Sequence, residues 1–328
     1  MTRPQDLKDL AALSARIGAD PMLIQAAGGN TSVKDGDVMW IKASGTLLAE
    51  ALDKDIFVAC DLPAMRASLA RGEARADQPQ EFALMRDGLR PSIETSLHAV
   101  FPQRVVLHAH CIHTLSHAVQ ADPVAAIGAK LDGFDWGHVP YVKPGANLAA
   151  KVRGLVETGR NVIVLANHGV IVAAETVGAA DDLLARVVAA LRVDPVPLRA
   201  ADLGAVPHGW VAAPPALSHL ALDPKRLAMA TGGSLYPDHV IFCGVGALAA
   251  DTPPEGDGPP MVLIPGKGAL LRASASAGAS AGTWALSQCL GDVLMRVPEG
   301  ATLRYLALEQ NGELLNWDAE KYRLALNA

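Results

Sequence analysis

Val105-Val106-Leu107-His108-Ala109-His110 is the stretch on which the reading of this chain turns. Its apolar, partly β-branched start reads as a buried strand. Side chains at i and i+2 of a strand point to the same face. His108 and His110 therefore present two imidazoles side by side, at a spacing that suits one metal ion. A second buried strand, Asn161-Val162-Ile163-Val164-Leu165-Ala166, delivers a third histidine in Asn167-His168-Gly169, and Val170-Ile171-Val172-Ala173 is its partner across the turn. Gly169 would let the backbone approach closely there. Glu94 lies upstream. Three imidazoles and a carboxylate are enough to build a catalytic divalent-metal site with one open position.

Working outward, apolar positions at helical spacing (Leu7, Leu10, Leu13, Ile17) predict an amphipathic helix over 5–18. Residues 24–33 read as a strand broken by the turn Gly28-Gly29, then a second strand. Asp35-Gly36-Asp37 reads as a hairpin turn before Val38-Met39-Trp40-Ile41-Lys42. Helices are expected over 62–71, from Glu94 to Phe101, from the metal strand to about 120, over 147–158 and over 175–193. Tyr141-Val142 begins a short extended piece. Composition shifts at Asp194-Pro195-Val196-Pro197, which sets a boundary. The division expected is a catalytic domain over 1–195, a Pro/Ala-rich connection over 196–225 and a C-terminal α+β subdomain over 226–328. The last is expected to hold strands at Val240-Ile241-Phe242-Cys243 and Met261-Val262-Leu263-Ile264, a helix over 283–296, the segment Leu303-Arg304-Tyr305-Leu306 and a terminal helix over 316–326. Residues 273–278 read as a loop of small residues.

Bulk properties narrow the classes. The chain has 328 residues, half of them hydrophobic, and a formal net charge of −6, so it can bury a sizeable core. That charge argues against nucleic acid or an anionic membrane as the partner. The polar start Met-Thr-Arg-Pro-Gln-Asp is unlike a signal peptide, and no apolar run reaches the ~18 residues of a membrane span. Four scattered cysteines, Cys60, Cys111, Cys243 and Cys289, without a CxxC pair, read as reduced packed thiols. A cytoplasmic protein is expected.

Ala27-Gly28-Gly29-Asn30-Thr31-Ser32, Lys42-Ala43-Ser44-Gly45, Ser92-Ile93-Glu94 with His98, His108-Ala109-His110 and Asn167-His168-Gly169 follow one another in that order. Each motif alone is weak, but five in this order resemble the class II aldolase/adducin family, which includes fuculose phosphate and rhamnulose phosphate aldolases and ribulose phosphate 4-epimerase. The resemblance covers roughly residues 5–195. Val139-Pro140-Tyr141-Val142-Lys143-Pro144-Gly145 and Asn316-Trp317-Asp318-Ala319-Glu320-Lys321-Tyr322 also look like longer members, such as the aldolase half of bifunctional aldolase–dehydrogenases, although no Rossmann fingerprint occurs here.

The resemblance implies an α/β fold: a three-layer α/β/α domain with a central, mostly antiparallel sheet. It implies that His108, His110 and His168 hold Zn²⁺ (or Mn²⁺ or Co²⁺) and that Glu94 is the acid/base carboxylate. It further implies that Gly29, Asn30, Ser44, Gly45 and Ser92 hold the phosphate of a sugar phosphate. Backbone N–H groups, an amide and hydroxyls are suited to that task, and equally to a carboxylate. Only Lys34 and Lys42 lie near these loops in sequence, so a sugar acid is an alternative substrate.

The implied activity is retro-aldol cleavage of a hydroxy-ketone through a metal-stabilised enediolate, in a homotetramer. An epimerase or decarboxylase would use the same carbanion chemistry, and a non-catalytic adducin-like assembly module is the reading from another class. The chain departs from the family in one respect: Gly128-Ala129-Lys130-Leu131 stands where the aldolases carry a tyrosine that protonates the aldehyde oxygen. Tyr141 or Lys143 is the candidate replacement. His98 reads as a structural hydrogen-bonder, and His113 and His117 as packing residues or as supports behind the metal strand. His138, His208, His219 and His239 read as surface or turn residues.

Overall fold

The computed structural model describes residues 3–85, 88–256, 258–273 and 277–318, without the side chains of 277–280. The chain divides into two compact units, residues 1–111 with 127–191, and residues 112–126 with 192–328.

The first unit begins with helix α1 (Asp6–Gly18), strands β1 (Asn30–Asp35), β2 (Val38–Lys42) and β3 (Phe57–Asp61), and helices α2 (Leu62–Arg71) and α3 (Thr95–Ala99). Strand β4 (Val105–Ala109) follows. The chain then passes through α4 (Ile112–Ala118) and α5 (Pro123–Ile127) to β5 (Trp136–Val139), α6 (Ala146–Val156), β6 (Val162–Leu165), β7 (Gly169–Ala174) and α7 (Val177–Ala190).

The seven strands form one sheet in the order β3-β2-β1-β4-β7-β6-β5. Every pairing is antiparallel except β5 with β6. Helices cover both faces. Met39, Ile41, Val58 and Cys60 pack with Leu62, Met65 and Leu69 of α2, and Val106, Ile163 and Ile171 pack with Leu97 of α3 and Leu148 and Val152 of α6. α1 and α7 lie against the other face. This is the mixed α/β, mostly antiparallel fold expected. The central strands are hydrophobic on both faces because both are covered.

In the second unit, β8 (Trp210–Ala212), α8 (Pro215–Leu222), α9 (Pro224–Thr231), β9 (Leu248–Ala249), β10 (Met261–Ile264), β11 (Gly268–Arg272), α10 (Ala277–Leu294) and α11 (Leu308–Leu315) follow in order. The sheet order is β8-β11-β10-β9. Residues 112–126 join this unit through backbone bonds from Ala121 N–H to the Thr302 carbonyl (2.8 Å) and from Arg304 N–H to that of Val119 (2.8 Å). β8 and α8 lie within the 196–225 stretch read as a connection.

Several local expectations are corrected. Residues 24–29 form no strand. The chain turns there, with the Gly28 N–H bonded to the Gln25 carbonyl (2.9 Å) and Ala26 and Gly29 in the left-handed region. Val240–Cys243 is not a strand but part of a π-helical turn, His239–Cys243. A short buried apolar run has no periodicity that separates strand from helix. Leu303 makes one isolated bridge, to Gln120, and residues 303–306 form no strand. His219 and His239 are buried rather than at the surface. Of the expected terminal helix, residues 319–326 lie outside the described residues, as do 274–276 of the small-residue loop. All four cysteines are buried, and none forms a disulfide among the described residues.

Candidate active site

β4 is central, and His108 sits on it opposite Asn30 of β1 and Ile171 of β7. The strand ends at Ala109, so His110 stands one residue beyond it. His168 comes from the tight connection between β6 and β7. There Asn167 adopts a left-handed φ of 54°, and the His168 N–H bonds back to the Leu165 carbonyl (3.2 Å). Asparagine tolerates that conformation better than most residues. Gly169 is required next: a Cβ would come within 2.4 Å of the Ala109 carbonyl oxygen and 3.3 Å of the His108 ring.

The ligand atoms of the three histidines lie within 4.8 Å of one another, and all three rings are buried. Ring centroids are 4.8 to 5.2 Å apart. His108 Nδ1 lies 3.1 Å from the Val170 carbonyl oxygen. A carbonyl only accepts, so Nδ1 carries the proton and Nε2 presents its lone pair to the site. That backbone bond is the support that orients a metal-ligating histidine.

Glu94 occupies the residue just before α3, and its Oε1 lies 3.3 Å from His108 Nε2 and 3.6 Å from His168 Nε2. Ligands about 2.1 Å from one tetrahedral zinc stand about 3.4 Å apart. Glu94 Oε1 is buried and receives no hydrogen bond among the described residues. A divalent cation between it and the imidazoles would satisfy it, and the donor set, imidazole nitrogen with carboxylate oxygen, is that of zinc and its neighbours. The group fits.

Burial pushes the Glu94 carboxyl up, but His108, His168 and His110 pull it down, and a hydrogen bond from Asn30 adds to them. The balance lies below the ordinary glutamate value. The Glu94 carboxylate is therefore ionised near neutral pH.

The loops come next. Asn30 Nδ2 donates to Ser92 Oγ, and the Glu94 N–H donates to the same oxygen (3.2 Å). One polar chain thus ties the Gly-rich loop to Glu94. Ser92 belongs to a short extended segment laid on the end of β2. Ser44 N–H bonds to the Arg90 carbonyl (2.9 Å), Ser92 N–H to the Lys42 carbonyl (3.2 Å), and Ala43 bridges Pro91. Lys42 is buried and donates to the carbonyls of Ala27 (2.9 Å) and Gly29 (3.3 Å), which holds the loop in its turn. Gly29 is needed, since its φ is 65° and a Cβ would meet Ile24 and the His108 carbonyl. Lys34 is buried and donates to the Gln103 carbonyl (2.8 Å). Neither lysine is an exposed counter-ion of the loops.

Tyr141 is buried two residues beyond Val139, the last residue of β5, where Val139 pairs with Leu165. The parallel strands β5 and β6 therefore release Tyr141 and the His168 turn at the same end of the sheet. Lys143 is half-buried further along this segment. His98 is fully buried, bonds through Nδ1 to Ser32 Oγ (2.8 Å), and is held well below the ordinary histidine value by burial, then by His108 and Lys34. Among the sequence candidates, the structure joins Glu94 to His108 and His168 and joins Asn30 to Ser92. Sequence reasoning missed the roles of Lys42 and Arg90. Their signal is cross-strand pairing, which a linear motif does not display.

Comparison with known proteins identifies the family. The family described as "Class II Aldolase and Adducin N-terminal domain" matches residues 8–194. A Bacillus subtilis protein named as an uncharacterized oxidoreductase, YuxG, is 30% identical over 188 residues, or 53% of this chain and 27% of YuxG. The chain thus spans about a quarter of that relative's length. The N-terminal class II aldolase domain of a conserved protein from Thermoplasma acidophilum has 28% identity and a TM-score of 0.52, over 58% of this chain and 94% of that one. With the family matched over more than half of its length, this chain belongs to the class II aldolase/adducin family.

Proposed function

We propose that the protein is a metal-dependent carbon–carbon lyase that cleaves a hydroxy-ketone, a sugar phosphate or sugar acid, by retro-aldol chemistry. The observation that carries this reading is the buried Glu94 carboxylate, 3.3 and 3.6 Å from two imidazole nitrogens. His108, His110 and His168 would hold Zn²⁺, Mn²⁺ or Co²⁺. When bound, that ion supplies Lewis acidity toward the substrate's oxygens and a sink for the electron pair of the broken bond.

The chain's own residues do the rest. Glu94 takes and returns the proton at its carboxylate, as a positioned base does. Asn30 donates to that carboxylate, and Ser92 Oγ holds the Glu94 backbone N–H; with Gly29, Ser44 and Gly45 they form the proposed place where an anionic substrate end would bind. In cleavage, Tyr141 or Lys143 is proposed to take the proton from the hydroxyl that becomes the aldehyde oxygen and, in the reverse condensation, to donate it back, the role a family tyrosine fills from elsewhere. An intact histidine triad argues against a purely structural adducin-like role. The proposed assembly is a cytoplasmic homotetramer; among the described residues no helix is long and apolar enough to cross a membrane.

The test is a screen of ketose phosphates and sugar acids for aldehyde release with added Zn²⁺, Mn²⁺ or Co²⁺. Metal-dependent release from one substrate class is expected. Epimerisation or CO₂ release without aldehyde would replace the lyase reading with another carbanion reaction on the same residues.

A further inference from the structure

We propose that Arg90 supplies the positive charge with which the Gly-rich loop binds an oxyanion at the substrate's end, and so acts as the charge-reading residue of the site. This rests on the reading above that the loops take an anionic substrate end.

Residues 42–44 and 90–92 form a short antiparallel ladder. Ala43 bridges Pro91, with Ser44 N–H on the Arg90 carbonyl and Ser92 N–H on that of Lys42. In that antiparallel register Ser44 stands opposite Arg90 and Lys42 opposite Ser92. Opposed residues share a face, as do residues two apart. Lys42, Ser44, Arg90 and Ser92 therefore lie on one side. The alternate residues occupy the other: Ala43 lies in the apolar cluster and Leu89 packs against it.

Contacts identify the first side as that of the loop. Lys42 Nζ holds the Ala27 and Gly29 carbonyls, and Ser92 Oγ accepts from Asn30. Arg90 occupies the outer rung of this side and is exposed, so an entering ligand can reach its guanidinium.

Charge supplies the second strand of the argument. Lys34 and Lys42 are buried, and both donate to backbone carbonyls. Backbone N–H groups and hydroxyls bind an oxyanion by dipoles alone, and a guanidinium adds a planar, bidentate, permanently charged partner. The shared chemistry is an oxyanion, either phosphate or carboxylate.

The test uses the full-length chain freed of metal, so that a probe cannot ligate an ion at the histidines. Wild type, Arg90→Gln and Arg90→Lys are titrated calorimetrically with inorganic phosphate and, separately, with acetate. Wild type is expected to bind one probe in preference, which names the source of the oxyanion. Arg90→Gln should weaken that binding about ten- to hundredfold, as loss of a charge-assisted contact does, and Arg90→Lys should fall between. Equal affinity in wild type and Arg90→Gln, or no binding of either probe to wild type, overturns the proposal. Zinc stoichiometry of the same three proteins is read separately. It should be equal in all three, and loss of metal from all would count against the lyase reading while leaving the Arg90 result to stand by itself.

Discussion

Ala26 and Gly169 show how local geometry serves the site. Ala26 has a φ of 48° just before the Gly-rich turn. A side chain there costs about 1 kcal/mol that glycine does not. Ala26→Gly should raise stability by up to about 0.5 kcal/mol in urea titration once the entropy of a freer unfolded chain is subtracted. A loss of stability would show that the turn is not strained.

Gly169 works in the opposite sense. Gly169→Ala drives a methyl against the Ala109 carbonyl, a backbone atom that cannot step aside. It should cost about 1–3 kcal/mol and weaken metal binding by displacing His168 and His110. Unchanged Kd for Zn²⁺ would contradict that close approach. At this scale the histidine pair and His168 were legible, because strand alternation and a β-turn are short-range patterns. The chain from Asn30 through Ser92 to Glu94 was not, because it crosses 62 positions of sequence in a single hydrogen bond.

Elements follow the same division between local and remote causes. α2 is readable from its start: Asp61 caps it by accepting from the Ala64 N–H (2.8 Å), with Pro63 in the first turn and Gly72 left-handed at its end. Asp61→Ala should cost about 1 kcal/mol in thermal or urea unfolding, and no change would mean that the cap is frayed in solution. The β6–β7 hairpin was readable for similar reasons.

The turn at His239–Cys243 was not. Its residues suit a strand, yet Gly244 follows at a φ of 88° and the run is buried in a helical setting. β11, at Gly268–Arg272, was missed because its partner β10 is needed to define it. The 24–27 stretch failed for a third reason: a buried ammonium from β2 draws its carbonyls into a turn.

At the scale of the whole molecule, composition shifts near residue 195 and the compact units divide between Leu191 and Arg192. The membership of residues 112–126 in the second unit is not legible in the sequence, since the bonds that recruit them come from residues 302–304. The buried histidines make the molecule sensitive to acid. His239 accepts the Leu235 N–H through Nδ1 (3.2 Å), and burial lowers its pKa to about 4. Its unfolded value is about 6.5. Folded His239 thus resists a proton that the unfolded chain accepts, so its stabilising effect is complete above about pH 6.5 and declines as pH falls toward 4. The decline amounts to about 3 kcal/mol. Melting temperature should fall across that window, and His239→Asn should flatten the slope; an equal slope in the variant would assign it to other groups.

The central claim is that Glu94 moves the proton at a metal site built from His108, His110 and His168. The direct measurement is elemental analysis of Glu94→Gln alongside its turnover of whichever substrate the wild type cleaves. About one zinc-class ion per chain is expected in both proteins, with a loss of cleavage of at least a hundredfold in the variant. Full turnover by Glu94→Gln, or a wild-type protein that neither holds nor responds to a divalent ion, would contradict it.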